Sequence, residues 1–434
     1  MDSCLRGNDD QRVSRTIATS TPPGTLNANL AASVVSPRHA AHRDRTTLKI
    51  LVLSSLFPND VQPRHGIFIE HRVAHLARAG DEIRVVAPVP WFPSSNPRFG
   101  HYAALTRIPK AATRRGVAVN YPRHPVIPKV GMALAPMLMA AALYPVLAKL
   151  RREFDFDVID SYYLYPDGVA AALLAKWLDV SFTMTALGSD VTQIPESTSA
   201  RHMILSATRR AAAVTTVAGA LRDQLLTLGA RPDNISVVLH GVDLDLFSPP
   251  PDRAALRARL GMTEPTVMCV GYLVENKGID LAIRAIALLS GVRLMIAGTG
   301  PCATALKALA ESLGVRDRVD FLGHVDQQSL PELYGAADIV ANCSAREGIS
   351  NVLLEALACG TPLVATPVWG SPEVVSCAEA GMLARDRSNT AIADAIALLI
   401  ADPPDRAKTR AYAETFNWRE TGRLHHALLT KATT

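Results

Sequence analysis

Two glutamates carry the chemistry that this sequence offers most plainly. In Cys343-Ser-Ala-Arg-Glu-Gly-Ile-Ser-Asn-Val-Leu-Leu-Glu-Ala-Leu-Ala-Cys-Gly-Thr-Pro362, Glu347 and Glu355 stand with seven residues between them. Gly348 follows the first, and Asn351 lies between the two. Glutamates eight apart also occur on solvated helix faces, so the pair alone identifies nothing; the elements around it must decide. The apolar run at Asp338-Ile-Val-Ala predicts a strand. Asn351 to Cys359 predicts a helix, with Gly360 as its stop. Glu347 then lies in the loop at a strand's carboxyl end, and Glu355 lies within the helix. The free N–H groups that open such a helix suit an anion such as phosphate. Flanking carboxylates suit the hydroxyls of a sugar and a ribose.

A chain of 434 residues has room for two domains of ordinary size. Nearly half of it is hydrophobic and only 5% aromatic. That balance of small aliphatics fits helices packed on parallel sheets. The six cysteines (4, 269, 302, 343, 359 and 377) show neither a C-x-x-C nor paired spacing. They read as small buried hydrophobes in a reducing compartment, without a metal site. The net charge is +5, but Ile83 to Arg152 contains no Asp or Glu and eleven Lys or Arg. Such a basic field favours a membrane surface or a phosphate-bearing substrate. No nucleic-acid recognition motif accompanies it.

Residues 1 to 47 are polar and lack apolar periodicity, which predicts a disordered or non-native leader. Order begins at Leu48-Lys-Ile-Leu-Val-Leu, a buried parallel strand. A loop to Gly66, a helix over Ile67 to Arg78 and a strand from Ile83 follow. Val130 to Leu150 is apolar with basic flanks and is interrupted by Pro136 and Pro145. We read it as a helix half-buried in the domain or resting on a membrane surface, rather than a span. Strands ending near Asp160, Thr185, Val217 and Leu239 complete a first sheet. The turn-rich segment from His240 links it to a second α/β series. That series opens at Thr266, with Lys277 placed before a helix N-terminus as a point charge for a diphosphate. Gly298-Thr-Gly-Pro301 occupies another strand-to-helix turn but lacks the third glycine of a dinucleotide fingerprint.

Together these features resemble the retaining family-4 glycosyltransferases of GT-B fold, and the surface-polysaccharide, teichuronic-type subgroup among them. The likeness runs from about Leu48 to the terminal helix. Arg346-Glu-Gly-Ile-Ser-Asn-Val-Leu-Leu-Glu355 matches the E-x7-E signature, and Val270-Gly-Tyr-Leu-Val-Glu-Asn-Lys-Gly278, His240-Gly-Val-Asp and Gly298-Thr-Gly-Pro match in spacing. Tyr165-Pro-Asp-Gly and Gly188-Ser-Asp190 carry the subgroup likeness. The resemblance implies two Rossmann-like doubly wound domains facing a cleft. Residues 48–239 would bind acceptor and 240–416 nucleotide-sugar, with 417–434 a terminal helix packing back on the first domain.

By the same resemblance, Glu347 would hold the donor sugar's hydroxyls and Lys277 would neutralise the leaving diphosphate. Glu355 would hold the ribose. Arg346, Gly348, Ile349, Ser350, Asn351 and Val352 would line the donor, as would Gly271, Tyr272, Gly298 and Gly300. Gly66, Gly188 and Asp190 would reach it from the first domain. No metal or other cofactor is implied, and the donor is a substrate. The expected reaction transfers a sugar, with retention, from a nucleoside diphosphate to a lipid-linked or glycan acceptor. The expected place is the cytoplasmic face of the plasma membrane, peripherally bound, in cell-surface polysaccharide synthesis. A sugar-nucleotide epimerase or hydrolase and a non-catalytic nucleotide binder are the alternatives. The family often has Arg where Tyr272 stands and His or Arg where Leu187 stands. A basic residue of the first domain, or Arg346, is then expected to supply the missing cation.

Overall fold

The computed structural model describes residues 47–127 and 131–434. The leader expected over residues 1–47, apart from Thr47, and Lys129 of the basic stretch lie outside the described residues.

Among the described residues sixteen strands follow in chain order. They are β1 (Lys49–Leu53), β2 (Glu82–Val86), β3 (Val89–Pro90), β4 (Ala111–Arg114), β5 (Val117–Asn120), β6 (Arg123–His124), β7 (Val158–Tyr162), β8 (Ser181–Ala186), β9 (Ala213–Thr216) and β10 (Ile235–Val237) in the first half. The second half holds β11 (Thr266–Val270), β12 (Arg293–Ala297), β13 (Val319–Gly323), β14 (Ile339–Asn342), β15 (Leu363–Ala365) and β16 (Gly381–Leu383). They form an eight-stranded sheet in the order β10-β9-β8-β7-β1-β2-β5-β4 and a six-stranded sheet in the order β13-β12-β11-β14-β15-β16. Strands β3 and β6 pair separately. Among the described residues only the β4–β5 hairpin, at the edge of the first sheet, is antiparallel. Helices connect the parallel strands, as right-handed crossovers require.

The strand orders locate the sites. Each sheet grows outward in both directions from its first strand, β1 or β11. The order reverses between β1 and β7, where Ile50 pairs with Val158, and between β11 and β14, where Val267 pairs with Ile339. In open parallel sheets the crevice beyond the carboxyl ends of such a pair receives the ligand. The loops after β1 and β7, and those after β11 and β14, are therefore the places to search.

Local sequence explains the elements around them. Helix Ile67–Arg78 buries Ile69, Val73 and Leu76 against the sheet. Each such burial is worth about 1.5–3 kcal/mol. The apolar run at Val130–Leu150 becomes a helix over Ala135–Phe154. Pro136 sits in its first turn, where a missing N–H costs nothing, so the helix starts later than the apolar run. Arg151 and Arg152 extend it to a stop at Asp155, whose φ is 45°. No helix among the described residues is long and apolar enough to cross a membrane. Cys269, Cys343 and Cys359 are buried free thiols and Cys377 is a half-buried one.

The terminal helix Trp418–Thr433 returns to the first sheet. Asn417 caps it by accepting the Glu420 N–H at 2.8 Å. Trp418 stacks on His71 and His75, and His426 Nδ1 lies 2.8 Å from Asp81 Oδ2. Beneath the helix is a buried charged cluster. His425 Nε2 lies 2.9 Å from Asp160 Oδ2, and Arg72 Nη1 lies 3.4 Å from His425 Nδ1. Arg72 Nη2 also donates to the carbonyl of Val238 at 3.1 Å. The cluster joins helix Ile67–Arg78, strand β7 and the chain's last helix.

Candidate functional site

After β11 the chain turns at Gly271 and Tyr272. The Gly298-Thr-Gly-Pro turn backs onto it, with Leu273 N–H donating to Thr299 O at 2.8 Å. Gly300 has the Leu273 backbone where a Cβ would be. A cavity of about 340 Å³ opens beside these loops, lined by Gly271, Tyr272, Gly298, Thr299, His324 and, from the first domain, Arg64. Tyr272 is 60% exposed at its rim. The turn Glu275–Lys277 is fastened to the loop after β14. Ala345 N–H donates to Asn276 O at 2.8 Å, and Asn276 Nδ2 donates to Arg346 O at 3.2 Å. The side chain of Arg346 is exposed.

This fastening brings Lys277 to Glu347. The Lys277 ammonium pairs with Glu347 Oε1, and Ser344 Oγ donates to the same oxygen at 3.0 Å. Both charged groups are largely shielded from solvent. An ammonium has three donors, so one can hold Glu347 while the others face an anion. Ile349 and Ser350 are buried and Val352 is half-buried against the core. What these residues can offer a ligand is backbone. Helix Asn351–Ala358 starts there, and the Ser350 side chain makes no capping bond. Its first amides lack intrahelical partners, which leaves an anion site beside the Lys277–Glu347 pair.

Glu355 lies on that helix and faces a small cleft with Phe68, His71, Asn351 and Trp418. Tyr334 Oη donates to its Oε2 at 2.9 Å. Burial pushes the Glu355 carboxyl up to about 7, against the Tyr334 hydrogen bond and the charge of Arg64, which draw it down. Arg64 thus lies between the Tyr272 cavity and Glu355. Its guanidinium donates to the carbonyl of Val325 at 2.8 Å, so a first-domain loop is tied across the cleft to the second domain.

The remaining first-domain residues divide. Gly66 begins helix Ile67–Arg78 at φ 71°, and a Cβ there would lie 1.9 Å from Leu56 O. The loop's own fold demands this glycine. Gly188 faces the second domain, its Cβ position 3.5 Å from the Gly348 N. A Cβ on Gly348 would lie 2.3 Å from Leu187 O, and one on Gly370 would lie 1.9 Å from Gly348 O. Three backbone segments of two domains therefore meet without room for a methyl. Asp190 holds the first-domain side of this contact from within. Its carboxylate is fully buried and accepts the N–H groups of Leu164, Leu187 and Gly188 at 2.9, 3.1 and 2.7 Å. Burial raises its pKa to about 6. Asp167 is similarly buried, accepts Ser55 N–H and Oγ, and is raised by burial to about 7. These two carboxylates shape the β1, β7 and β8 loops.

Sequence reading did not single out Ser344, Tyr334, Arg64 or Glu373. Glu373 Oε2 and Oε1 accept the N–H groups of Gly219 and Ala220 at 2.8 and 2.9 Å, joining the second domain to the start of helix Gly219–Thr227. Ser344 adjoins the signature and could have been suspected. Tyr334 and Glu373 carry no local signal, because their partners lie 21 and more than 150 residues away.

With this geometry in hand, the chain can be compared with known proteins. The family model described as "Glycosyltransferase Family 4" matches residues 66–246, and "Glycosyl transferases group 1" matches residues 252–416. A D-inositol 3-phosphate glycosyltransferase of Corynebacterium glutamicum (strain R) is 34% identical over 66% of this chain and 75% of its own length. The chain belongs to the family 4 and group 1 glycosyltransferases. A second D-inositol 3-phosphate glycosyltransferase, from Mycobacteroides abscessus, is 40% identical over 46% of this chain, and the match spans about half (47%) of its own length. Anabaena HepE, solved with UDP and with UDP-glucose, aligns with TM-scores of 0.70 and 0.67. Those alignments cover 88% of this glycosyltransferase family member and nearly all of HepE, at 21% and 22% identity. The two parallel-sheet domains are the GT-B fold. The two family models meet between residues 246 and 252, in the segment that carries the first sheet's chain into the second.

Proposed function

We propose that this protein is a metal-independent, retaining hexosyl- or related glycosyltransferase that moves a sugar from a nucleoside-diphosphate donor to a lipid-linked or glycan acceptor. The observation that carries the reading is the Lys277–Glu347–Ser344 cluster at the opening of helix Asn351–Ala358. Lys277 and the helix amides would stabilise charge developing on the leaving diphosphate. Glu347 would hold the sugar's hydroxyls, and Glu355 the ribose hydroxyls. The nucleoside would occupy the cavity beside Gly271, Tyr272 and Gly298. UDP and UDP-glucose in HepE support a nucleotide-sugar donor, and the names of the relatives support transfer to an acceptor. With retention, the donor phosphate would accept the acceptor's proton as the new bond forms on the face the phosphate leaves.

The acid-free basic stretch supports peripheral attachment to the anionic inner face of the plasma membrane. Cell-surface polysaccharide synthesis is the process this would serve. The test is Glu347→Ala, assayed with UDP- and GDP-sugars and a mixed acceptor set. Transfer is expected to fall at least a hundredfold with the thermal unfolding profile unchanged, the scale of losing one preorganised electrostatic contact. Full transfer by the variant would refute the assignment.

A further inference from the structure

The other switch point, between β1 and β7, opens on a cavity of about 710 Å³, a size that encloses a drug-sized ligand. Its walls come from the loops after β1, β2 and β7, the segment before helix Ala135–Phe154 and that helix itself. Phe57, Val89, Leu105, Met139 and Tyr165 supply much of the surface, and among the described residues no Lys, Arg, Asp or Glu lines it. Its polar lining includes Asn59, His65 and His124. Burial pushes the His124 pKa down.

The cavity's mouth is also apolar. Val126, Ile127 and Met132 line it, yet each is 46–50% exposed. Trp91 and Tyr102, at 57% and 52%, stand in the same acid-free stretch of sequence. Exposed apolar side chains grouped at a cavity mouth mark a surface that meets another apolar phase. A small anionic acceptor needs cations, and none of the described residues that line this cavity is one. A hydrocarbon chain needs only apolar walls and an apolar entrance, and both are present.

One loop relates this cavity to the donor side. Phe57, Asn59, Gln62 and His65 line the apolar cavity, whereas Arg64 lines the cavity beside Tyr272 and Gly298. We infer that the β1–β7 cavity receives the hydrocarbon portion of a lipid-linked acceptor. The chain enters past Ile127 and Met132, and the glycosyl-accepting end meets the loop at His65. This rests on the glycosyltransferase reading and narrows its acceptor to molecules with an aliphatic body.

The test uses alkyl maltosides of four to twelve carbons below their critical micelle concentrations, with maltose and D-inositol 3-phosphate as polar probes, titrated calorimetrically into the full chain. Affinity is expected to rise about fourfold per methylene until the cavity is full, with no measurable binding of maltose or inositol phosphate. Ala135→Phe fills the cavity and Ile127→Asp charges its mouth. Each is expected to remove at least ten-fold of the dodecyl affinity while the thermal shift with UDP persists. Ile127 is half-exposed, so its variant tests the idea even if Ala135→Phe fails to fold. An affinity independent of chain length, tight inositol phosphate binding, or binding to phosphatidylglycerol vesicles without binding of monomeric alkyl maltoside would each overturn the inference. The titration needs no nucleotide. A protein that ignores UDP but shows the chain-length series would sink the donor reading and leave the lipid site standing.

Discussion

Glu355 offers the sharpest quantitative test, because its energetics and its proposed role pull in opposite directions. Burial raises its carboxyl from 4.5 to about 7. Between those values the folded protein keeps the proton that the unfolded chain has lost. Stability therefore falls as pH rises from about 4.5 to 7 and is level above that. A displacement of this size corresponds to about 3 kcal/mol. The side chain is only half-buried and opens on the cleft, and solvent screening reduces this to about 1.5–2 kcal/mol. Glu355→Gln removes the titration. In urea denaturation the variant should gain about 1.5–2 kcal/mol on wild type between pH 4.5 and 8. Asp167 and Asp190 add slopes of the same sign to both proteins, so they cancel in the difference. Ribose hydroxyls donating to the carboxylate would favour its ionised form. UDP should then bind wild type more tightly as pH rises toward 7 and release a proton below it, seen as a buffer-dependent heat. The variant should bind more weakly at pH 8 and show no such dependence. Tyr334→Phe removes a bond that favours the ionised form, and should move the wild-type midpoint upward. A constant stability offset between wild type and Glu355→Gln from pH 5 to 8 would refute the reasoning.

Three further perturbations follow from the geometry. Arg64→Ala should weaken UDP by about 1–2 kcal/mol, roughly five- to thirtyfold, because it removes a half-exposed charge-assisted contact; uridine affinity, measured beside it, should not change. Gly348→Ala puts a methyl 2.3 Å from Leu187 O; the two domains must part, and the transfer rate should drop at least tenfold with less than about 1.5 kcal/mol lost in denaturation, since only one contact gives way. Arg72→Ala leaves Asp160 and His425 in an incomplete buried cluster; a loss of about 3–5 kcal/mol is expected in chemical denaturation, and a loss under 1 kcal/mol would show the cluster to be dispensable.

The strands and helices that face the sheets were legible because burial imposes a period. Ile69, Val73 and Leu76 announce their helix within one residue of its observed ends, and Val267 to Val270 announce a central parallel strand. The β4–β5 hairpin was not read, because Arg114-Arg115-Gly116 registers as charge before it registers as a turn. Its outward residues alternate with only Val117 and Val119 fully buried. Helices Thr198–Thr208 and Gly219–Thr227 were also unread, since their apolar faces are short and broken by polar residues. At the site, the E-x7-E spacing located Glu347 and Glu355 but not what tunes them. Tyr334, Arg64 and Glu373 act through contacts between elements far apart in sequence, and no local pattern encodes a partner at that range.

The loop from Phe57 to Gly66 shows why a site of this kind depends on positions that touch no ligand. The left-handed Gly66 lets the chain fold back under Leu56 O before helix Ile67–Arg78 begins. That fold sends two neighbouring side chains in different directions. His65 turns to the apolar cavity, and Arg64 turns across the cleft to Val325 O and the Tyr272 cavity. Any larger residue at Gly66 must shift both, so the proposed acceptor and donor contacts would not be adjustable independently there. Under the proposed function, the cation that the resemblance leads one to expect at Tyr272 would come from the other domain only while the cleft keeps Arg64 against the Val325 segment. A charge fixed on the second domain would act in every interdomain arrangement. Under the proposed function, Arg64 would act only when the domains are together, which would link diphosphate stabilisation to closure of the cleft around both substrates.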